Sequence, residues 1–443
     1  MNRRFSWLLG AGLLLAAGAI SAGETPGVLG ANPNPVHLVR PRTAPLSAMA
    51  ELGKKIFYDA SLSSPGALSC ASCHSPEHHY GPPNDGPVML GGGSLSRQGT
   101  RAVPLLTYLE RQPNFSIGPD KSDDDNRSSL AQMAALGQTA ARAKKLAAQG
   151  DAAAQNIVPQ GGLFWDGRAD TLQDQALFPL LDPREMDGGS VDIVADKLQH
   201  APYADYFSRL FGPGIFAKPR LLVSEAMFAV ARYQFEDVSF HPYTSKFDYW
   251  LEGKARLGES ELRGLKLFSD PDKANCAGCH PSMPTRDGLP PLFTDHQYEA
   301  LGAPRNAALA DNRDPGHFDL GVCGPQRTDL AGQAQYCGMF RTPSLRNAAT
   351  RHAFFHNGVF RSLEQVLDFY DFRDTNPDKV FPHAADGTVQ KYDDLPQKYH
   401  ANIDVSDPPF DRHAGETPPM TAQDEADIIA FLKTLTDGFQ PER

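Results

Sequence analysis

Cys70-Ala71-Ser72-Cys73-His74 and Cys276-Ala277-Gly278-Cys279-His280 decide how this chain is read. Both are C-x-x-C-H, which sets two thiols one helical turn apart, able to bond the two vinyl groups of a haem. The histidine that follows can ligate the iron from the proximal side. A thioredoxin-like redox pair needs no such histidine and would not occur twice. The motifs therefore predict two covalently bound haem c groups. Cys70, Cys73, Cys276 and Cys279 hold them, with His74 and His280 as proximal ligands. Cys323 and Cys337 are left over and read as a disulfide closing a loop.

Moving outward, each motif follows a version of one segment. Glu51-Leu-Gly53-Lys-Lys55-Ile-Phe57-Tyr-Asp59 precedes the first, and Glu261-Leu-Arg-Gly264-Leu-Lys266-Leu-Phe268-Ser-Asp270 the second. Gly53/Gly264, Lys55/Lys266, Phe57/Phe268 and Asp59/Asp270 correspond. Each copy reads as a short amphipathic helix ahead of a haem-binding turn, so two related cytochrome c-like domains are expected. Leu221 to Phe235 and Ala422 to Leu435 show apolar residues at helical spacing, and alternating strands are scarce. The expected fold is mainly α, with two cytochrome c-like haem domains and long loops.

The 443 residues are 41% hydrophobic and 21% charged, as in a globular protein of two domains. Arg3 and Arg4 precede an apolar stretch from Leu8 to Ile20, then small residues. Residues 1–22 thus read as a signal peptide cleaved after Ser21 or Ala22, placing the protein in the periplasm. That stretch is shorter than the roughly 20 residues of a spanning helix, and no later one is long enough. Without Arg3 and Arg4 the net charge moves from −11 to −13, which excludes nucleic acid and suits a basic protein partner. Residues 23–45, rich in Pro and Gly, read as an extended segment. The first domain spans 46–238, with an insertion at 112–160 that becomes Ala-rich and helical around Leu130 to Ala153. The second spans 239–443, entered by a crossing segment from His241 to Gly258.

Four stretches in this order resemble the bacterial diheme cytochrome c peroxidases and their MauG branch. They are the two haem motifs, Phe164-Trp165-Asp166-Gly167-Arg168-Ala169-Asp170, and Arg341-Thr-Pro-Ser-Leu-Arg346-Asn347. The last continues into Phe354-Phe-His356-Asn-Gly358 and Ser362-Leu-Glu364. The resemblance implies an enzyme that reduces hydrogen peroxide at the N-terminal haem. Trp165 would relay oxidising equivalents between the haems. Gln175 and Glu185 would line the peroxide site, the amide holding peroxide and the carboxylate moving a proton between its oxygens. Gln175 falls in a segment, Thr171 to Leu181, expected to be helical and to end near Pro179.

Departures from the family pattern refine this. Gly92, in Leu90-Gly-Gly92-Gly, stands at the position aligned with a distal histidine, so the resemblance implies an open peroxidatic iron. His78 and His79 read as surface residues. Tyr370 aligns with the methionine ligand of the second haem, the mark of the MauG-like branch. A tyrosinate lowers the potential that a thioether would raise, favouring a high-valent diheme state coupled through Trp165. Ala102 aligns with an asparagine ligand of the family's calcium, which leaves calcium without that side chain. The electron source implied is a protein substrate or donor. Two other readings are a conventional peroxidase drawing on a small cytochrome c, and a non-catalytic electron-transfer cytochrome, with both irons indifferent to peroxide.

Overall fold

The computed structural model describes residues 29–119 and 157–442. The expected signal peptide and the Ala-rich part of the insertion lie outside the described residues. Inside them the protein is mainly helical, with three two-stranded antiparallel sheets.

The elements follow from local sequence. In α1 (Ala48–Phe57), Ser47 accepts the Ala50 amide at 3.1 Å, Glu51 sits in the first turn and Lys54 and Lys55 in the last. These charges complement the helix dipole, and Leu52, Ile56 and Phe57 form the buried face. The first haem motif forms a single turn, α2 (Cys70–Cys73). Then come α3 (Leu172–Leu181), α4 (Val191–His200), α5 (Ala204–Phe211) and α6 (Pro219–Glu236). The chain continues through α7 (Lys246–Leu251), α8 (Glu259–Ser269) and a second motif turn, α9 (Cys276–Cys279). The last helices are α10 (Leu363–Phe372) and α11 (Ala422–Lys433). Thr421 and Asp424 make the capping box expected for α11. At α10 Ser362 caps the Gln365 amide, but the Gln365 side chain accepts from the Arg361 amide rather than closing a box.

One apolar core lies between α1 and α6 and extends to Phe240; a second gathers Phe247, Phe268, Phe293, Ile428 and Phe431. The segment from Leu29 packs against the second core. Leu38 is buried there, and Val36 and Val39 donate to the carbonyls of Leu251 and Gly288. The helix pairs α1–α6 and α8–α11 each cross at a glycine. A Cβ on Gly53 would stand 1.8 Å from the Ala229 carbonyl oxygen, and one on Gly264 1.9 Å from that of Asp427. Only glycine lets two backbones approach this closely.

Three short ribbons stitch the loops: β1 (Leu90–Gly91) with β2 (Arg97–Gln98), β3 (Ser116–Pro119) with β4 (Ile157–Gln160), and β5 (Tyr298–Glu299) with β6 (Phe340–Arg341). The β3–β4 ribbon joins the two ends of the insertion. A disulfide pairs Cys323 with Cys337 in a small third cluster. Buried charge ties segments far apart in the chain: Arg101 donates to Asp166 at 2.7 Å and to Asp319 at 2.6 Å.

Candidate haem sites

The first cavity is built around α2. The His74 amide closes the turn onto the Cys70 carbonyl at 2.9 Å, and His74 Nδ1 meets the Tyr80 carbonyl at 3.0 Å. A carbonyl on Nδ1 fixes the proton there and leaves Nε2 as the metal-binding lone pair. Burial holds the His74 imidazole down at about 4, neutral at ordinary pH. Burial also pushes the Cys70 and Cys73 thiols up to about 12. Such thiols are inert as free nucleophiles and suited to permanent thioether bonds.

Gln175 and Glu185 line the same cavity. Gln175 lies on α3, 7% exposed. The helix does not stop at Pro179 as the sequence implied, but runs on to Leu181. Proline has no amide proton, so the Gln175 carbonyl loses its helical donor on the cavity wall. Glu185 sits in the turn after α3, its amide bonded to the Asp182 carbonyl. Burial, and secondarily the Asp182 charge, raise its carboxyl to about 7, while Arg168 acts in the opposite sense. Arg168 is in turn held by Asp166 at 3.0 Å and lies over the Phe164 ring. The loop facing Glu185 contributes Met89, Leu90 and Gly91 to the cavity. Gly92 is turned against the neighbouring backbone instead. Its amide donates to the Glu185 carbonyl at 2.7 Å, its φ is +73°, and a Cβ would come within 2.7 Å of the Pro183 carbonyl oxygen. His78 and His79 are half-buried rather than on the surface, and neither is among the residues lining this cavity.

The second cavity surrounds α9. His280 Nδ1 meets the Phe293 carbonyl at 2.8 Å, and burial brings this imidazole to about 4 as well. Burial raises the Cys276 thiol to about 12 and that of Cys279 further still. Tyr370, on α10, lines this cavity and stacks on Phe410 at 5.3 Å. Burial raises its phenol well above its ordinary value, so a metal would have to draw off the proton. His356 also lines the cavity, stacked on Phe340 at 3.6 Å.

Trp165 lines both cavities. Its indole N–H donates to the Ala102 carbonyl at 2.8 Å, and its own carbonyl accepts the Arg341 amide at 2.9 Å. Ala102, aligned with the family's calcium-binding asparagine, is 1% exposed, and its backbone is committed to Trp165 and to the His356 carbonyl.

Several site residues were not read from the sequence. Arg341 and Arg351 are half-buried, and burial lowers the pKa of both guanidinium groups, that of Arg351 to about 10. Their donors go to uncharged oxygens: Arg341 to the Phe164 carbonyl and the Gln112 amide, Arg351 to the Ala353 and Val103 carbonyls. A haem propionate would supply the anion that Arg341, which lines the second cavity, lacks. Gln234, 3% exposed on α6, lines the first cavity with its Oε1 unpartnered. Arg341 lay in a motif already singled out, whereas an amide in an apolar helix carries no signal. Paired thiols, oriented imidazoles and cations awaiting carboxylates together fit two haem c groups.

Much of this sequence is shared with known proteins. The di-haem cytochrome c peroxidase family profile matches residues 47–256. The methylamine utilization protein MauG of Paracoccus denitrificans is 32% identical over 332 residues, 73% of this chain and 74% of that one. The cytochrome c551 peroxidase of Nitrosomonas europaea is 28% identical, over 80% and 81% of the two chains. The crystal structure of the diheme peroxidase BthA from Burkholderia thailandensis superposes with a TM-score of 0.73 at 33% identity, covering 92% of this chain and 94% of that one. With this identity sustained over most of both chains, and with both haem motifs in place, the chain belongs to the di-haem cytochrome c peroxidase family.

Proposed function

We propose that the protein is a periplasmic, hydrogen-peroxide-dependent diheme oxidoreductase of the MauG-like type. The observation that carries this is the asymmetry of two cavities sharing Trp165. One adds Gln175 and a carboxyl that titrates near neutrality; the other adds Tyr370. The two haems supply, when bound, the iron at which the O–O bond is cleaved and the capacity to hold oxidising equivalents.

The protein's part is binding and proton transfer. Gln175 donates its amide N–H to peroxide in the first cavity. Glu185, as carboxylate, would take one proton of peroxide and return it to the oxygen that leaves as water. A carboxyl near 7 is suited to both halves of that transfer at neutral pH. Met89 and Leu90 cover the cavity, and Arg168 tempers the cost of the Glu185 charge. Trp165, which lines both cavities, would couple the two sites, and Tyr370 would offer the second haem a hard anionic donor. Reducing equivalents come from a protein partner; relatives named cytochrome c peroxidases support a cytochrome in that role, and the acidic surface suits a basic one.

The halves are an internal repeat of one haem domain, 46–238 and 239–443. The matched α1–α6 and α8–α11 glycine crossings, each ahead of a motif turn, support this. Trp165→Phe tests the coupling. One equivalent of peroxide should perturb the spectra of both haems in the wild type but only the N-terminal haem in the variant. A variant in which both haems respond at the wild-type rate would remove Trp165 from the mechanism.

A further inference from the structure

Each haem site rests on a trio of aromatic rings placed in the same way. Phe57 follows Gly53 by four residues, and Tyr233 follows Ala229, which faces that glycine, by four. Phe268 and Phe431 stand in the same relation to Gly264 and Asp427. The third ring belongs to the residue whose carbonyl orients the proximal histidine: Tyr80 for His74, Phe293 for His280. Centroids lie 6.1 and 5.6 Å from Phe57 in the first trio, and 6.2 and 5.1 Å from Phe268 in the second.

The second trio is all phenylalanine, so packing here needs rings and no hydroxyls. The first carries two hydroxyls, on Tyr80 and Tyr233, 3% and 1% exposed. A buried hydroxyl costs free energy unless it is bonded, and these are bonded outward. Tyr80 Oη lies 2.5 Å from Ser239 Oγ, which donates to Asp237 Oδ1 at 2.7 Å. The Tyr233 hydroxyl lies beside those of Tyr80 and Tyr58, the latter residue 44% exposed. Phe240 stacks on Tyr80 at 3.7 Å and touches Tyr233 at 5.2 Å, and Phe57 lines the first haem cavity.

We propose that Tyr80 and Tyr233 are oxidisable residues forming a one-electron route from the proximal side of the N-terminal haem site to the surface at Tyr58. Peroxide cleavage removes two electrons from the enzyme. One is replaced by Tyr80, whose phenolic proton passes to Ser239 Oγ as the Ser239 proton passes to the Asp237 carboxylate. The neutral Tyr80 radical takes a hydrogen atom, proton and electron together, from the Tyr233 hydroxyl, and the Tyr233 radical takes one from the Tyr58 hydroxyl, so Tyr80 and Tyr233 return to neutral phenols. A one-electron reductant in solution then reduces the Tyr58 radical, which takes a proton from solvent while Asp237 releases its proton to solvent, closing the cycle. Two such passages deliver the two electrons that one peroxide consumes.

This rests on peroxide reacting at the N-terminal haem, and the test separates the two. The full-length, oxidised holoprotein is mixed with excess hydrogen peroxide without reductant, then followed by optical spectroscopy, rapid-freeze EPR and mass spectrometry of its peptides. The wild type should give a tyrosyl signal, with oxidation products at Tyr58. The double variant Tyr80→Phe/Tyr233→Phe, which restores the composition of the other trio, should lose both while its haem spectra still respond to peroxide at the wild-type rate. Ser239→Ala, an exposed change that leaves the core intact, should form the tyrosyl signal more slowly than the wild type. An unchanged tyrosyl signal in the double variant, or its absence from a wild type whose haems respond normally, overturns the route. Haems indifferent to peroxide in the wild type overturn the peroxidase reading itself, and the route with it.

Discussion

Replacing Glu185 with glutamine should slow the reaction with hydrogen peroxide by about 10²–10⁴-fold, the usual worth of a positioned general acid–base group. The amide keeps the shape of the side chain but cannot carry a proton from one oxygen to the other. The pH profile should change with it. Glu185 acts first as a base, and burial with the Asp182 charge places its carboxyl at about 7. The wild-type rate constant should therefore rise as pH increases through 7 and level off above it, and in Glu185→Gln that limb should vanish. Stability should move the other way. A carboxyl raised on folding contributes stability that is present below its unfolded value and is lost as pH rises through about 7. The glutamine variant should therefore unfold no more readily than the wild type at pH 8, measured by thermal denaturation. A stable variant with an unchanged peroxide rate would exclude Glu185 from proton transfer.

Tyr370→Met should raise the reduction potential of the C-terminal haem by a few tenths of a volt, a fraction of the roughly 0.8 V over which axial ligands set haem potentials. Tyrosinate donates charge to the metal and favours its oxidised states; a thioether does not. The phenol lies in the second haem cavity against Phe410, and burial raises its pKa. Only a bound cation would make the anion favourable at neutral pH. Spectroelectrochemical titration reads the shift directly. An unchanged potential would mean that Tyr370 is a packing residue and not a ligand.

The parts of the site defined by covalent spacing are legible in the amino-acid sequence alone. Two C-x-x-C-H motifs fix four thioether positions and two histidines without reference to tertiary contacts, and the mainly helical character follows from periodicity. Trp165, Gln175, Glu185 and Tyr370 are legible only through family resemblance, because a lone tryptophan or glutamate is ordinarily a core or surface residue. The structure brings each to a haem cavity. Other features depend on long-range contacts. α3 runs through Pro179, because the lost hydrogen bond costs less than ending a helix held by the first core. Gly92 proves to be a backbone contact beneath Glu185, fixed by the Pro183–Glu185 carbonyls and invisible in the string Leu-Gly-Gly-Gly. Arg351, half-buried with its donors on the Ala353 and Val103 carbonyls, and Gln234, with its Oε1 unpartnered, gain meaning only from what surrounds them.

The proposed chemistry stands or falls on an N-terminal haem site that is open to peroxide in the oxidised protein. Stopped-flow absorbance tests this, after one equivalent of hydrogen peroxide meets oxidised holoprotein with no reductant present. A prompt change in the haem spectra is expected. No reaction until the protein has first been partly reduced would contradict it, and would mean that the first cavity is closed by a ligand until activation.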